Sequence, residues 1–111
     1  MTFEMNLHPE PFTLIKSGRK DIEMRLYDER RKDIKIGDLI VFTNNVTLEK
    51  LTVEVINLYQ FDNFKELYNH FDKTRLGYRD DENANPKDME HYYSLDKILR
   101  YGVLGIEVKL K

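Results

Sequence analysis

The chain has 111 residues, a net charge of -2, 34% charged and 41% hydrophobic residues, and no cysteine. That is material for one domain with one core, and it excludes a disulfide framework, a thiolate nucleophile and any cysteine-ligated zinc or iron–sulfur centre. Seven Tyr and six Phe argue against disorder, no apolar run reaches the roughly 20 residues of a membrane-spanning helix, and the first residues lack the basic start and apolar stretch of a secretion signal, so a cytoplasmic protein without membrane contact is expected.

Phe3, Met5 and Leu7 alternate with Thr2, Glu4 and Asn6, which predicts a half-buried strand over 2–7. Pro9 and Pro11 break it and suit the first turn of a helix, where a missing N–H costs nothing. Phe12 and Ile15 share one face of that helix, which runs to Ser17 and closes on Gly18. A second strand is predicted over Lys20–Tyr27. Ile22, Met24 and Leu26 point to the core, and Asp21, Glu23, Arg25 and Tyr27 point away from it. A charged connection, Asp28–Lys35, leads through Gly37-Asp38 into a strand over Leu39–Thr43. Asn44-Asn45 predicts a tight hairpin because Asn tolerates positive φ, and the returning strand is expected over Leu48–Leu58.

The period then changes. Phe64, Leu67, Tyr68 and Phe71 form the stripe of an amphipathic helix, with Asn63 and Glu66 as a capping pair. Leu76–Ala84 reads as a polar loop. Asn85-Pro86 opens another helix with Met89, Tyr92 and Tyr93 on one face, Ser94 caps a further short helix, Gly102 closes it, and Val103–Leu110 alternates as a last strand. This order lacks a regular βαβ alternation and fits an α+β fold with a small, mixed, mainly antiparallel sheet. The first and last strands are candidates to pair, which would close a barrel and remove exposed edges. No repeat or linker divides the chain, so residues 1–111 are expected to form a single domain.

Charge is unevenly spread. Residues 16–35 carry eight basic against five acidic residues in an otherwise acidic chain, for which a solvated surface hairpin is the plain explanation. The three histidines, His8, His70 and His91, show no metal-binding spacing, and Asp80-Asp81-Glu82 lacks the spaced ligands and glycine of a calcium loop. No metal and no cofactor is expected. Neither a phosphate-binding glycine loop nor a nucleophile elbow occurs, and Ser17 and Ser94 both sit at helix ends. What remains is Gly18-Arg19-Lys20-Asp21-Ile22-Glu23-Met24-Arg25, in which a Lys enters the strand and Glu23 and Arg25 follow two apart on its non-core face, a carboxylate between cations. Such a set can read the donor and acceptor edge of a base, or polarise a carbonyl and activate water, or be an exposed ion pair of little consequence.

The pattern G-x-K-x-x-E-x-R over Gly18–Arg25 resembles the signature of the ASCH domain, a PUA-like β-barrel family. Leu7-His8-Pro9-Glu10-Pro11-Phe12, Ile36-Gly37-Asp38-Leu39-Ile40-Val41-Phe42 and Tyr101-Gly102-Val103-Leu104-Gly105-Ile106-Glu107 are similar to that family too and bracket nearly the whole chain. The resemblance is to a small prokaryotic single-domain member. It implies a small barrel flanked by short helices, a cleft walled by the Lys20-Glu23-Arg25 strand, and binding of RNA or a nucleoside- or nucleotide-like ligand. Lys20 would neutralise a phosphate, Arg25 would stack on or pair with a base, and Glu23 would accept from a base or sugar. Tyr27 and Tyr78 are candidate stacking platforms.

Some small bacterial ASCH proteins are amidohydrolases that deacetylate acetylcytidine with a Lys, a Thr and a Glu. Lys20 matches the Lys. Glu23 holds the Thr position, so the hydroxyl nucleophile is absent, and the Glu falls in a stretch near Arg75, Asp80 and Glu82. The resemblance therefore implies, as an alternative, amide hydrolysis with Glu23 as general base and Lys20 as electrostatic stabiliser. A third alternative, a protein-interaction module using the Phe64/Tyr68 helix, competes with a core role for that stripe.

Overall fold

Apolar–polar alternation in four segments and the apolar run Leu39–Phe42 in a fifth produce five strands, and the computed structural model, which describes residues 1–111, joins them in a single curled sheet. In chain order the elements are β1 (Thr2–Leu7), α1 (Pro9–Lys16), β2 (Ile22–Leu26), β3 (Leu39–Asn44), β4 (Lys50–Phe61), α2 (Phe64–His70), α3 (Lys73–Leu76), a 3-10 helix (Pro86–His91), α4 (Leu95–Tyr101) and β5 (Val103–Leu110). The strands lie in the order β1-β3-β4-β5-β2. Only β1 and β3 are parallel, and the long excursion through α1 and β2 supplies the crossover that a parallel pair requires. The fold is α+β, a half-barrel with short helices.

The expected pairing of first and last strands does not occur. A strand has two hydrogen-bonding edges, and those of β5 are taken by β4 and β2. The two ends of the sheet are therefore β1 and β2. They meet across a seam in which the Arg25 guanidinium, from β2, donates to the Asn6 carbonyl of β1 at 3.0 Å.

The sheet carries one apolar cluster on each face. The first gathers Met5, Phe12, Ile40, Phe42, Val53 and Ile106 with α1. The second gathers Ile22, Met24, Leu67, Phe71 and Val103 beneath the other helices. Strand β4 serves both. A bulge between Val55 and Asn57 shifts its phase, so that Val53 and Val55 face the first cluster and Tyr59 and Phe61 the second.

Local signals hold with adjustments. Asn63 accepts from the Glu66 N–H at 2.9 Å, and the Glu66 carboxylate reaches back to the Asp62 N–H at 3.0 Å, one residue earlier than the reciprocal bond of a capping box. The β3–β4 turn is longer than predicted. Asn44 is buried and its side chain accepts from Val46 and Thr47 N–H groups, while Leu48, not an asparagine, takes positive φ, so β4 starts at Lys50. The short α3 was not predicted, because one turn is too brief to show a period. The segment after Asn85 is a 3-10 helix.

Phe42 has no exposed surface and lies at the centre of the first cluster. Phe42→Ala is expected to cost about 3–5 kcal/mol, a large part of the roughly 5–15 kcal/mol that a domain has, and urea unfolding of the two proteins measures it.

Candidate functional site

The β2–β5 register places Glu23 opposite Ile106 and Arg25 opposite Leu104, on the face of the first cluster, and Met24 opposite Gly105 on the other. The alternation read from the sequence is correct, but the charged face is not turned to solvent. Glu23 is 4% exposed and Lys20 7%. The curl of the sheet brings that face into the seam between β2 and β1, under α1. The exposed ion pair of the plain sequence reading is thus a buried one.

Glu23 sits between two cations. Lys20 Nζ lies 3.0 Å from one carboxylate oxygen and Arg25 Nε 2.8 Å from the other. Burial pushes the Glu23 carboxyl up, but the charges and hydrogen bonds of Lys20 and Arg25 outweigh it and hold the group below the usual carboxylate range. Burial likewise works against the Arg25 charge, and Glu23 more than restores it, raising the guanidinium above its ordinary value. Gly77 completes the setting of Lys20. It caps α3 at φ +108°, and a Cβ there would stand 3.2 Å from Lys20 Cδ, so the lysine stem runs over bare backbone.

These groups line a cleft of about 490 Å³. One wall is the sheet side, from the end of β1 through α1 to Lys20, Glu23 and Arg25. The other is the helical side, with Tyr68, Gly77, Tyr78, Asp88, Tyr92 and Tyr93. The Tyr78 hydroxyl donates to Asp88 Oδ2 at 2.7 Å and lies 2.8 Å from the Tyr68 hydroxyl. Burial pushes the Tyr68 phenol up to about 12, and burial with its neighbours raises Tyr78 further. Lys73 Nζ fastens the intervening loop by donating to the carbonyls of Asp80 and Glu82. Tyr92 is 62% exposed at the rim, its ring tilted beside that of His8 with centroids 6.1 Å apart.

Four of the five residues singled out from sequence, Lys20, Glu23, Arg25 and Tyr78, line this cleft. Tyr27 does not. It lies past the end of β2, packs against the first cluster, and borders a separate groove with Phe61 and Arg100. The sequence reading missed Tyr68, Asp88 and the cleft position of Tyr92 and Tyr93. Tyr68 fell within the apolar stripe of α2, where only its hydroxyl set it apart, and nothing local singled out Asp88.

The model of the ASCH domain matches residues 5–109. The chain belongs to the ASCH domain family. The crystal structure of hypothetical protein PH0355 is similar to this ASCH domain at 31% identity and a TM-score of 0.85, with all of both chains covered. The solution structure of PF0455 from Pyrococcus furiosus is also 31% identical, at a TM-score of 0.77, covering 99% of this chain and 97% of that one. An ASCH domain from Lactobacillus crispatus, 14% identical with a TM-score of 0.68 over 98% of this chain and 79% of its own, shares the fold. No curated protein matches the chain. No helix of this ASCH domain is long and apolar enough to cross a membrane.

Glu23→Gln leaves two buried cations without their counter-ion. We expect a loss of about 3–5 kcal/mol at neutral pH. Because the folded state lowers the Glu23 pKa, the stability it gives is present above the unfolded carboxyl pKa and is lost as pH falls through the folded value. Unfolding curves across the acid range should therefore be less steep in pH for the variant. An unchanged acid limb would show that Glu23 is not tied to its cations.

Proposed function

We propose that residues 1–111 act as one ASCH domain that binds RNA or a nucleotide-like ligand in the cleft, through Lys20, Glu23 and Arg25. The observation that carries this reading is a buried Lys–Glu–Arg set at the base of a cleft whose other wall is rich in tyrosine. Glu23 satisfies only part of what its partners offer. An ammonium has three hydrogens and a guanidinium five. Arg25 gives Nε to Glu23 and Nη2 to Asn6, with Tyr93 also against the guanidinium, and a ligand acceptor would take its remaining hydrogens. Lys20 supplies charge to a carbonyl or phosphate oxygen. Tyr92 at the rim and Tyr78 on the far wall offer faces on which an unstacked base can lie. The cleft volume lies within the range of small-molecule sites.

Membership of the ASCH family supports the same reading at the level of ligand class. Amide hydrolysis fares less well on physical grounds. A general base works best with a pKa near the working pH, whereas Glu23 is held low and both its oxygens are engaged. Chromatography of acetylcytidine incubated with the protein should show little or no deacetylation. Turnover lost in both Lys20→Ala and Glu23→Gln would reverse this ranking.

Binding should be electrostatic but modest. With two or three phosphates engaged, log affinity for single-stranded RNA should fall against log salt with a slope near about -2, and a slope steeper than about -5 would require a larger basic face. Lys20→Met keeps the stem and removes the charge, and it should weaken binding by about tenfold or more. No binding of any single-stranded RNA or nucleotide would leave the reading without support.

A further inference from the structure

The groove bordered by Tyr27 is separate from the cleft, and the two share no lining residue. It holds about 810 Å³ between α2 and the C-terminal end of α4, over a floor in which Tyr27, Phe61 and Tyr101 are half-buried. Gly102 lets the end of α4 come this close to β4, since a Cβ there would stand 3.0 Å from the Phe61 carbonyl oxygen. Beside the groove, α4 turns an apolar edge outward. Ile98 is buried, but Leu95 and Leu99, four residues apart on one face, are 57% and 72% exposed, and Leu99 stands at the rim of the groove. The charges of the same surface are unpaired. On the α4 side the Arg100 guanidinium lies 5.2 Å from the centre of the Tyr101 ring and meets no carboxylate. On the α2 side the Asp62 carboxylate takes no hydrogen bond, and Glu66 spends one oxygen on the Asp62 N–H and meets no cation. Two carboxylates against one guanidinium make this a poor surface for a phosphate backbone.

One surface thus carries an apolar knob beside a hollow, and a positive charge across that hollow from negative ones. A two-fold axis lays a patch onto itself, so a surface that contains both halves of each contact is the kind that self-association requires. From this self-complementarity we propose that the groove and the outer edge of α4 form an interface between two copies of this chain. Leu99 of each copy enters the groove of the other, Leu95 extends the apolar contact by one turn, and each Arg100 meets the opposite Asp62. Every contact is made twice. The apolar part is modest, which places the dimer among the weak ones, in exchange with monomer. The proposal does not depend on what the cleft binds, because none of these residues lines it.

Sedimentation equilibrium of the full chain from about 5 to about 500 μM checks this, a range that spans the dissociation constants of weak dimers. The expected result is a monomer–dimer equilibrium in which the dimer grows with concentration. Leu99→Lys alters an exposed position, so the fold persists, and it should raise the dissociation constant by about tenfold or more. Leu48, on the β3–β4 turn, is as exposed and lies outside the groove, and Leu48→Lys should change nothing. Arg100→Asp and Asp62→Arg each set like charges against one another at both contacts, and each should weaken the dimer by about tenfold or more. An equimolar mixture of those two variants again opposes unlike charges at both contacts, and it should recover the association of the unaltered chain to within about threefold. Monomer at every concentration, a dimer indifferent to Leu99→Lys, an equal effect of Leu48→Lys, or no recovery in the mixture overturns the inference.

Discussion

Burying three charges on one strand and the two residues before it is the constraint around which this half-barrel is arranged. Taking Lys20, Glu23 and Arg25 out of water costs several kcal/mol per ion unless their charges compensate and their hydrogen bonds are met. Glu23 meets that condition by offering one oxygen to each cation. Arg25 then spends a second donor on the carbonyl of Asn6, so the ion set also ties together the two strands that the sheet topology leaves at its ends. Apolar residues of similar volume would often serve stability as well or better. The arrangement makes more sense as a pre-set group of donors, held rigid before any ligand arrives, than as a device for holding the sheet together.

Rigid placement depends on parts distant from the charges. The β2–β5 register fixes which side of the sheet Glu23 and Arg25 occupy, and a slip of one residue would exchange them with Ile22, Met24 and Leu26. The Arg75 guanidinium, paired with Asp21 and Glu107, clamps α3 to the start of β2, and with it the glycine over which Lys20 runs. The bulge in β4 lets one strand close the first cluster and then turn its aromatics to the second, which supports the helices of the far wall.

Much of this was legible in the residues. Period-two alternation marked four of the strands, the turn at Gly37-Asp38 introduced β3, and the stripe from Phe64 to Phe71 marked α2, because burial of one face imposes those periods directly. The Lys20, Glu23 and Arg25 set was legible because it falls within six consecutive residues, although the strand begins only at Ile22 and Lys20 lies before it. Its depth was not. Whether the second face of a strand is wet depends on sheet curvature, which is a property of all five strands together and leaves no mark on Lys20–Arg25. Strand order escaped for the same reason: alternation tells that β1 and β5 are strands but not which neighbours they choose. Tyr68 and Asp88 lie on separate elements twenty residues apart in sequence and meet only through Tyr78. Tyr27 shows the reverse error, since sharing a face with Arg25 does not carry a residue past the end of the strand into the same cleft.

The helical wall is held differently from the sheet wall. Between Tyr78 and Tyr93 it has no ladder of strand pairing; it is pinned by single side chains, Lys73 on two carbonyls, Tyr78 on Asp88, and Met89 buried in the second cluster. Changes along that segment short of Tyr93, which lies against Arg25, leave the register of the sheet untouched. The helical wall is therefore the side of the cleft on which side chains can be exchanged with the least disturbance to the strand pairing that holds the sheet.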